Sequence, residues 1–266
     1  MLKKIKIIFI DIDGTLATDN GEFTEYTKNI IKKAVLKGKY VILCSGRANS
    51  DVIEKSKIVN ASPIVISGNG TMIFDYKQNK KIFESKINLN AVEDFLNLTK
   101  NDELNVTLNS TFNRFKSKNS KKEGKIIQTL DEIDDNITQI VIDTRSEKVV
   151  ENIKKIIAKY KDLEIKNLIN QILNDPKIYE PGFELDIANK NSNKGTAIQL
   201  LLQHLNLPKE SSICFGDRMN DYQMFECSGF SVAMENASEE LKEKADYITF
   251  SNNADGVTRF IEEYII

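Results

Sequence analysis

Two aspartates one residue apart, Asp11 and Asp13, follow the apolar run Ile5–Ile10 and lead straight into Gly14-Thr15, in the stretch IKIIFIDIDGT. Three other polar clusters also stand after apolar runs. They are Ser45-Gly46-Arg47, Ser67-Gly68-Asn69-Gly70, and Asp217 with Asn220-Asp221. Any one of these is ordinary turn chemistry. Four of them at the carboxyl ends of predicted core strands mark the edge where open α/β sheets bind their ligands.

The carboxylates set the chemistry. At about 4 Å and an effective dielectric of 20, each like-charge pair costs roughly 4 kcal/mol. Gathering Asp11, Asp13, Asp217 and Asp221 therefore needs a cation or a protonated member. Hard oxygen donors without His or Cys favour Mg²⁺ over zinc. The lone histidine, His204, lies late in a predicted helix, where a surface residue is expected. Cys44 stands too close to Arg47 for a thiolate phosphate loop and reads as core. What remains is a carboxylate nucleophile beside Mg²⁺, with phosphorus as its natural electrophile. Ser45, the Gly46 N–H and Lys194 can hold phosphoryl oxygens.

These residues need a scaffold. Ile5–Ile10 reads as a strand covered on both faces. A helix follows over Glu25–Lys37, closed by Gly38. YVILCS is a second strand, NSDVIEKSKIVN a helix opened by Asn49 or Ser50, and PIVISGNG a third strand. After residue 193 the alternation resumes with a helix stopped by Pro208, the strand SSICFGD, and a short helix closed by Gly229. The strand FSVAM, a helix opened by a capping box from Asn236 to Glu239, the strand DYIT and a last helix, Gly256–Tyr264, complete it. Strands alternating with helices predict right-handed βαβ units. The middle differs. It offers shorter strand candidates (NVTLNS, QIVIDT, KIYEPGFELDIANK) and helices near Val92–Lys100 and Glu147–Tyr160. The expectation is an α/β protein: a doubly wound, Rossmann-like parallel-sheet core over 1–79 and 189–266, with an inserted α+β cap domain over 80–188.

Composition narrows the partners. Lys+Arg is 37 and Asp+Glu is 39, a net charge of −2, which gives no electrostatic reason to expect nucleic acid or an anionic membrane. No apolar run is long enough to span a bilayer, and Asp11 and Asp13 interrupt the only stretch that looks like a leader. Three cysteines cannot all pair, and Cys44 and Cys214 sit in apolar runs. A soluble cytoplasmic protein is expected.

The motifs resemble those of a known family. DIDGTL is similar to the nucleophile motif of the haloacid dehalogenase superfamily, CSGR to its second motif, Lys194 in NSNKGTA to its third, and GDRMND to its acidic fourth. GFSVAMENASEELKEKADYIT with NNADGV, and SGNGTMIF, resemble the Cof-type subgroup with its large α/β cap. The resemblance covers roughly residues 5–76 and 180–266.

It implies a Mg²⁺-dependent phosphatase of small phosphorylated metabolites, monomeric or a weak homodimer. In it Asp11 becomes an aspartyl phosphate, and Asp13 is the acid/base whose main-chain carbonyl helps bind metal. Ser45 and Lys194 hold the phosphoryl group. Asp217 ligates the metal, and Asp221 ligates it or orients a metal-bound water. Asn220 contacts phosphate, and Gly46, Arg47 and Asn69 face the substrate. The cap would shape the leaving-group pocket. Two other readings share parts of the pattern: a hexose phosphomutase on the same core, and a phosphoaspartate signalling receiver, which is usually less than half this length.

Overall fold

The computed structural model describes residues 2–99, 104–118, 120, 122–171 and 182–266. The chain forms two compact units, Met1–Phe83 with Asn193–Ile266, and Glu84–Ser192.

In the first unit, β1 (Ile7–Ile10) is buried along its whole length and lies mid-sheet. Beside it run β2 (Tyr40–Cys44), β3 (Ile64–Ser67), β4 (Met72–Asp75) and β5 (Lys80–Glu84) on one side. On the other side run β12 (Ser212–Gly216), β13 (Ser231–Ala233) and β14 (Tyr247–Ile248). Every pairing from β14 through to β3 is parallel, and β3 to β4 is antiparallel. Because β1 pairs with β2 on one side and β12 on the other, the winding reverses at β1. The carboxyl end of β1 is thus the switch point of a doubly wound sheet, where ligands bind.

Helices α1 (Glu25–Leu36), α2 (Asn49–Ile58), α5 (Lys194–His204), α6 (Tyr222–Cys227) and α7 (Glu239–Lys242) lie between these strands in the chain, and α8 (Gly256–Tyr264) follows the last. Thr24 caps α1, and Gly38 follows it in the left-handed conformation, as a helix stop requires. Two expected helix starts are moved. Ala48 precedes α2, whereas Asn49 lies in its first turn with its Oδ1 accepting from the Ser67 hydroxyl. Ser238 precedes α7, so the capping box from Asn236 does not form; Asn236 bonds elsewhere.

The second unit holds a six-stranded sheet ordered β10-β11-β9-β6-β7-β8. Its strands are β6 (Leu104–Ser110), β7 (Arg114–Lys116), β8 (Lys125–Ile126), β9 (Ile137–Thr144), β10 (Leu163–Gln171) and β11 (Gly182–Asn189). The helices α3 (Leu89–Leu98) and α4 (Glu147–Lys159) share one apolar core with Val106, Leu108, Ile140, Ile142 and Leu185. Residues 177–181 of the strand expected over KIYEPGFELDIANK, and Lys100 of the expected helix, lie outside the described residues. Among the described residues, no helix is long and apolar enough to cross a membrane.

In the first unit, the starts of α1 and α8 are joined by a part-buried polar contact. Asp255 Oδ1 accepts hydrogen bonds from the hydroxyls of Thr24, at 2.6 Å, and Thr27, at 2.8 Å. Asp255 also has φ 57°, a conformation that alanine resists and asparagine tolerates. Asp255→Ala should therefore cost about 2–4 kcal/mol in urea unfolding at unchanged m, and Asp255→Asn less. Equal losses in the two variants would contradict this.

Candidate active site

Asp11 directly follows β1, and its backbone N–H still bonds to Phe215 O of β12. Asp217 directly follows β12, and Asp221 ends the turn Met219–Asp221 that comes next. Lys194 is the first residue of α5, whose start is capped by Asn193 Oδ1 accepting from Thr196 N. Each side chain thus sits at a strand end or a helix start, where backbone geometry sets its direction.

These four side chains meet. Lys194, 1% exposed, donates to Asp11 Oδ1 at 2.5 Å and to Asp221 Oδ1 at 2.6 Å. The other Asp221 oxygen, Oδ2, accepts from the backbone N–H groups of Asp217 and Arg218. Asp11, Asp217 and Asp221 each offer an oxygen within 4.8 Å of the others. Three buried carboxylates face one buried ammonium and the exposed Arg218 guanidinium, 3.5 Å from Asp217 Oδ2, and the cluster is still short of positive charge.

The titration of these groups follows from that imbalance. Burial pushes the Asp11 carboxyl up to about 8; Lys194 pulls against this, and the Asp221 and Asp217 charges add to it. Burial and the Asp221 charge push Asp217 up to about 6. Burial opposes the Lys194 charge, yet the two carboxylates hold it above the ordinary lysine range. A divalent cation among the carboxylates would relieve the strain on all three. The donor set, hard oxygens only, suits one.

Close packing shapes the same place. A Cβ at Gly14 would overlap Asp217 Oδ2, and Gly14 has φ 81°, so glycine alone fits. A Cβ at Gly70, with φ 93°, would overlap the Asn193 carbonyl, which seats the Gly68–Gly70 turn against the start of α5. Thr15 bonds across the sheet rather than locally: its hydroxyl donates to Asp217 Oδ1 at 3.2 Å.

The expected convergence of four carboxylates is corrected to three. Asp13 lies on the turn after Asp11, and its carboxylate faces Arg47 instead. Arg47 Nε and Nη2 each donate to one Asp13 oxygen at 2.7 Å, a two-pronged pair on a half-exposed surface. Burial alone would raise the Asp13 carboxyl, but the Arg47 hydrogen bond and charge hold it below its ordinary range.

The second and third clusters are laced together. Ser45 is buried after β2, with its Oγ accepting from Arg47 N. Asn69 N bonds to Ser45 O and Gly68 N to Arg47 O. The Asn69 amide lies against Gly46, where a Cβ would crowd it. Asn220 is exposed on its turn. His204 is exposed at the end of α5. Cys44 and Cys214 are buried in the sheet, and burial pushes both thiols up.

Known proteins share this chain's sequence pattern and fold. The model of the haloacid dehalogenase-like hydrolases matches residues 8–261. YxeH of Bacillus subtilis (strain 168), named as a phosphatase, is 28% identical over 272 residues, covering 98% of each chain. YcsE of the same organism, named 5-amino-6-(5-phospho-D-ribitylamino)uracil phosphatase, is 28% identical over 268 residues, covering 98% of this chain and 96% of its own. The crystal structure of a haloacid dehalogenase-like hydrolase from Bacteroides thetaiotaomicron has the same fold, with a TM-score of 0.83 at 22% identity over 97% of this chain and 98% of that one. The family match spans β1, the inserted unit and the strands beyond it, and so the chain belongs to the haloacid dehalogenase-like hydrolases.

Proposed function

We propose that this protein is a Mg²⁺-dependent phosphatase that hydrolyses a small phosphomonoester through an aspartyl phosphate on Asp11. One observation carries the reading: a buried lysine holds one oxygen of a buried aspartate at the switch point, beside two further carboxylates. YcsE is named for a phosphorylated ribitylaminouracil. The class, a small phosphomonoester, is what we carry over to this chain, not the compound.

Asp11, Asp217 and Asp221 would hold the metal, together with the main-chain carbonyl of Asp13. Bound there, Mg²⁺ would offset the excess negative charge and let the phosphoryl group approach an ionised Asp11. Lys194 stops the Asp11 carboxylate from rotating and, with Ser45 and the Gly46 N–H, receives phosphoryl oxygens. Asn220 and Asn69 are assigned to the rim of that pocket. An Asp11 oxygen attacks phosphorus, and the bond from phosphorus to the leaving oxygen breaks as Asp13 gives that oxygen a proton. Water then attacks phosphorus, Asp13 takes its proton, and Asp11 leaves as carboxylate.

Asp13 cannot carry a proton while Arg47 grips both its oxygens. The cycle therefore has Arg47 change partners, from Asp13 to the incoming phosphate ester. Such help from an acid/base is typically worth about 10² to 10⁴-fold. It matters little for expelling nitrophenolate, a weak base, but it still serves the attack of water. Asp13→Ala should give a burst of about one nitrophenol per site and then stall, with phosphate held on Asp11. With an alkyl phosphate it should show neither burst nor turnover. Asp11→Asn should abolish the burst. Rapid-quench product release with intact-protein mass checks this, and wild-type turnover of both substrates by Asp13→Ala would refute it.

The metal makes a separate prediction. An acid whose folded pKa is raised binds more protons in the native state than in the unfolded one, so stability falls as pH rises through that window. For Asp217 the window runs from the ordinary 3.8 to about 6, and for Asp11 from 3.8 to about 8. In chelator, the melting temperature should therefore drop as pH rises from about 4 to about 8. Mg²⁺ should raise it more at the higher pH, and Asp11→Asn should shrink the drop. A Mg²⁺ effect of equal size at every pH would contradict a metal bound by these carboxylates. Activity should also vanish in chelator and return with Mg²⁺.

A further inference from the structure

The turn that carries Asp13 is held from outside itself, by a segment near the other end of the chain. Asp13 pairs with Ala17 in an isolated bridge, so the two move together. Asn252, which is buried, donates from Nδ2 to Ala17 O at 3.0 Å and to Asp19 Oδ1 at 2.9 Å. Its own N–H donates to Asn236 Oδ1 at 2.9 Å. Asn236 Nδ2 in turn donates to Gly14 O at 2.8 Å. Asn253 exchanges two further bonds with Asp19, through Asp19 N and Asp19 Oδ2.

The two amides therefore grip the backbone on both sides of Thr15, at Gly14 and at Ala17, more than 200 residues away in sequence. Residue type matters. At 252 the side chain must give two protons to two acceptors, which an aspartate there cannot do. At 236 it must both give and receive, which an amide does and a carboxylate does not.

We infer that Asn252 and Asn236 are positioning residues for the acid/base step: they hold the Asp13 turn in place when Arg47 lets go of the Asp13 carboxylate. The inference rests on the phosphatase reading. Among the described residues, Arg47 is the hydrogen-bond partner of both Asp13 carboxylate oxygens. Once Arg47 turns to the substrate, the backbone clamp is what keeps Asp13 within reach of the leaving oxygen and the attacking water. Small misplacements of such groups cost large factors in rate.

The test uses the full-length chain with Mg²⁺ and nitrophenyl phosphate, comparing wild type, Asn252→Ala and Asn236→Ala. Asn236 is exposed, so its variant should fold even if the other does not. For a positioning role, the burst of nitrophenol should keep its rate within about 2-fold and its amplitude near one per site. Steady-state kcat should fall about 10-fold in Asn252→Ala and about 3-fold in Asn236→Ala, with aspartyl phosphate accumulating. Because phosphorylation of Asp11 is untouched, KM should fall with kcat and kcat/KM should hold. Backbone amides of residues 13–19 should exchange faster while those of β1 stay protected. Burst amplitude, kcat and kcat/KM falling together would show loss of folded enzyme only, and would overturn the inference. Unchanged turnover in both variants beside a normal wild-type burst would overturn it while leaving the phosphatase reading intact. No hydrolysis by the wild type would overturn that reading, and the inference with it.

Discussion

One ammonium group, Nζ of Lys194, organises this molecule's chemistry. It is buried where an unpaired charge would be prohibitive, and it is tolerated because Asp11 and Asp221 both reach it. Each of those carboxylates needs it in return. The three groups come from β1, the turn after β12 and the first residue of α5, so no local segment could assemble them. They meet only when the parallel sheet is complete and α5 lies across its edge. Removing the ammonium alone would leave Asp11 and Asp221 buried without a cation in contact, and the Arg218 guanidinium reaches only Asp217, at 3.5 Å.

The same imbalance explains the close packing around the cluster. With more negative than positive charge present, the carboxylates would lower their repulsion by spreading, so packing that holds them together keeps a place suited to a cation. Gly14 reserves part of it, since any side chain there would displace the Asp217 carboxylate. Thr15 orients the opposite Asp217 oxygen. Backbone N–H groups hold the far side of Asp221. The site is thus built from acceptors already turned toward one point, the preorganisation that favours binding charge as it develops at phosphorus.

Much of this was legible in the sequence, for physical reasons. A nearly continuous apolar run such as Ile5–Ile10, broken only by Lys6 and too short for a helix, reads as a strand covered on both faces. Polar clusters after such runs have only the sheet edge to occupy, so Asp11, Ser45, Asn69 and Asp217 were legible as neighbours at one edge. Side-chain direction was not. Whether Asp13 turns toward the other carboxylates or toward Arg47 depends on the left-handed backbone at Gly14 and on a partner 34 residues away. The hydroxyl of Thr15, on the same turn, finds its partner 202 residues off. Asn236 three residues before Glu239 reads as a cap; its amide is committed to Gly14 and Asn252, and the helix starts after Ser238. In the inserted unit, β7 and β8 are short and polar, and β10 carries a register shift between Ile165 and Asn167, so none shows clean alternation. Strands β4 and β5 follow the glycine turn too closely to stand out as separate apolar runs.

The central claim is that Asp11, held by Lys194, takes the phosphoryl group before water does. The stereochemical course at phosphorus tests this most directly. A substrate ester made chiral at phosphorus with sulfur and oxygen isotopes, hydrolysed in isotopic water, reports how many in-line displacements occur. Attack by Asp11 and then by water inverts the centre twice, so the account predicts net retention of configuration. Net inversion would mean that water attacks the ester directly, and would contradict it.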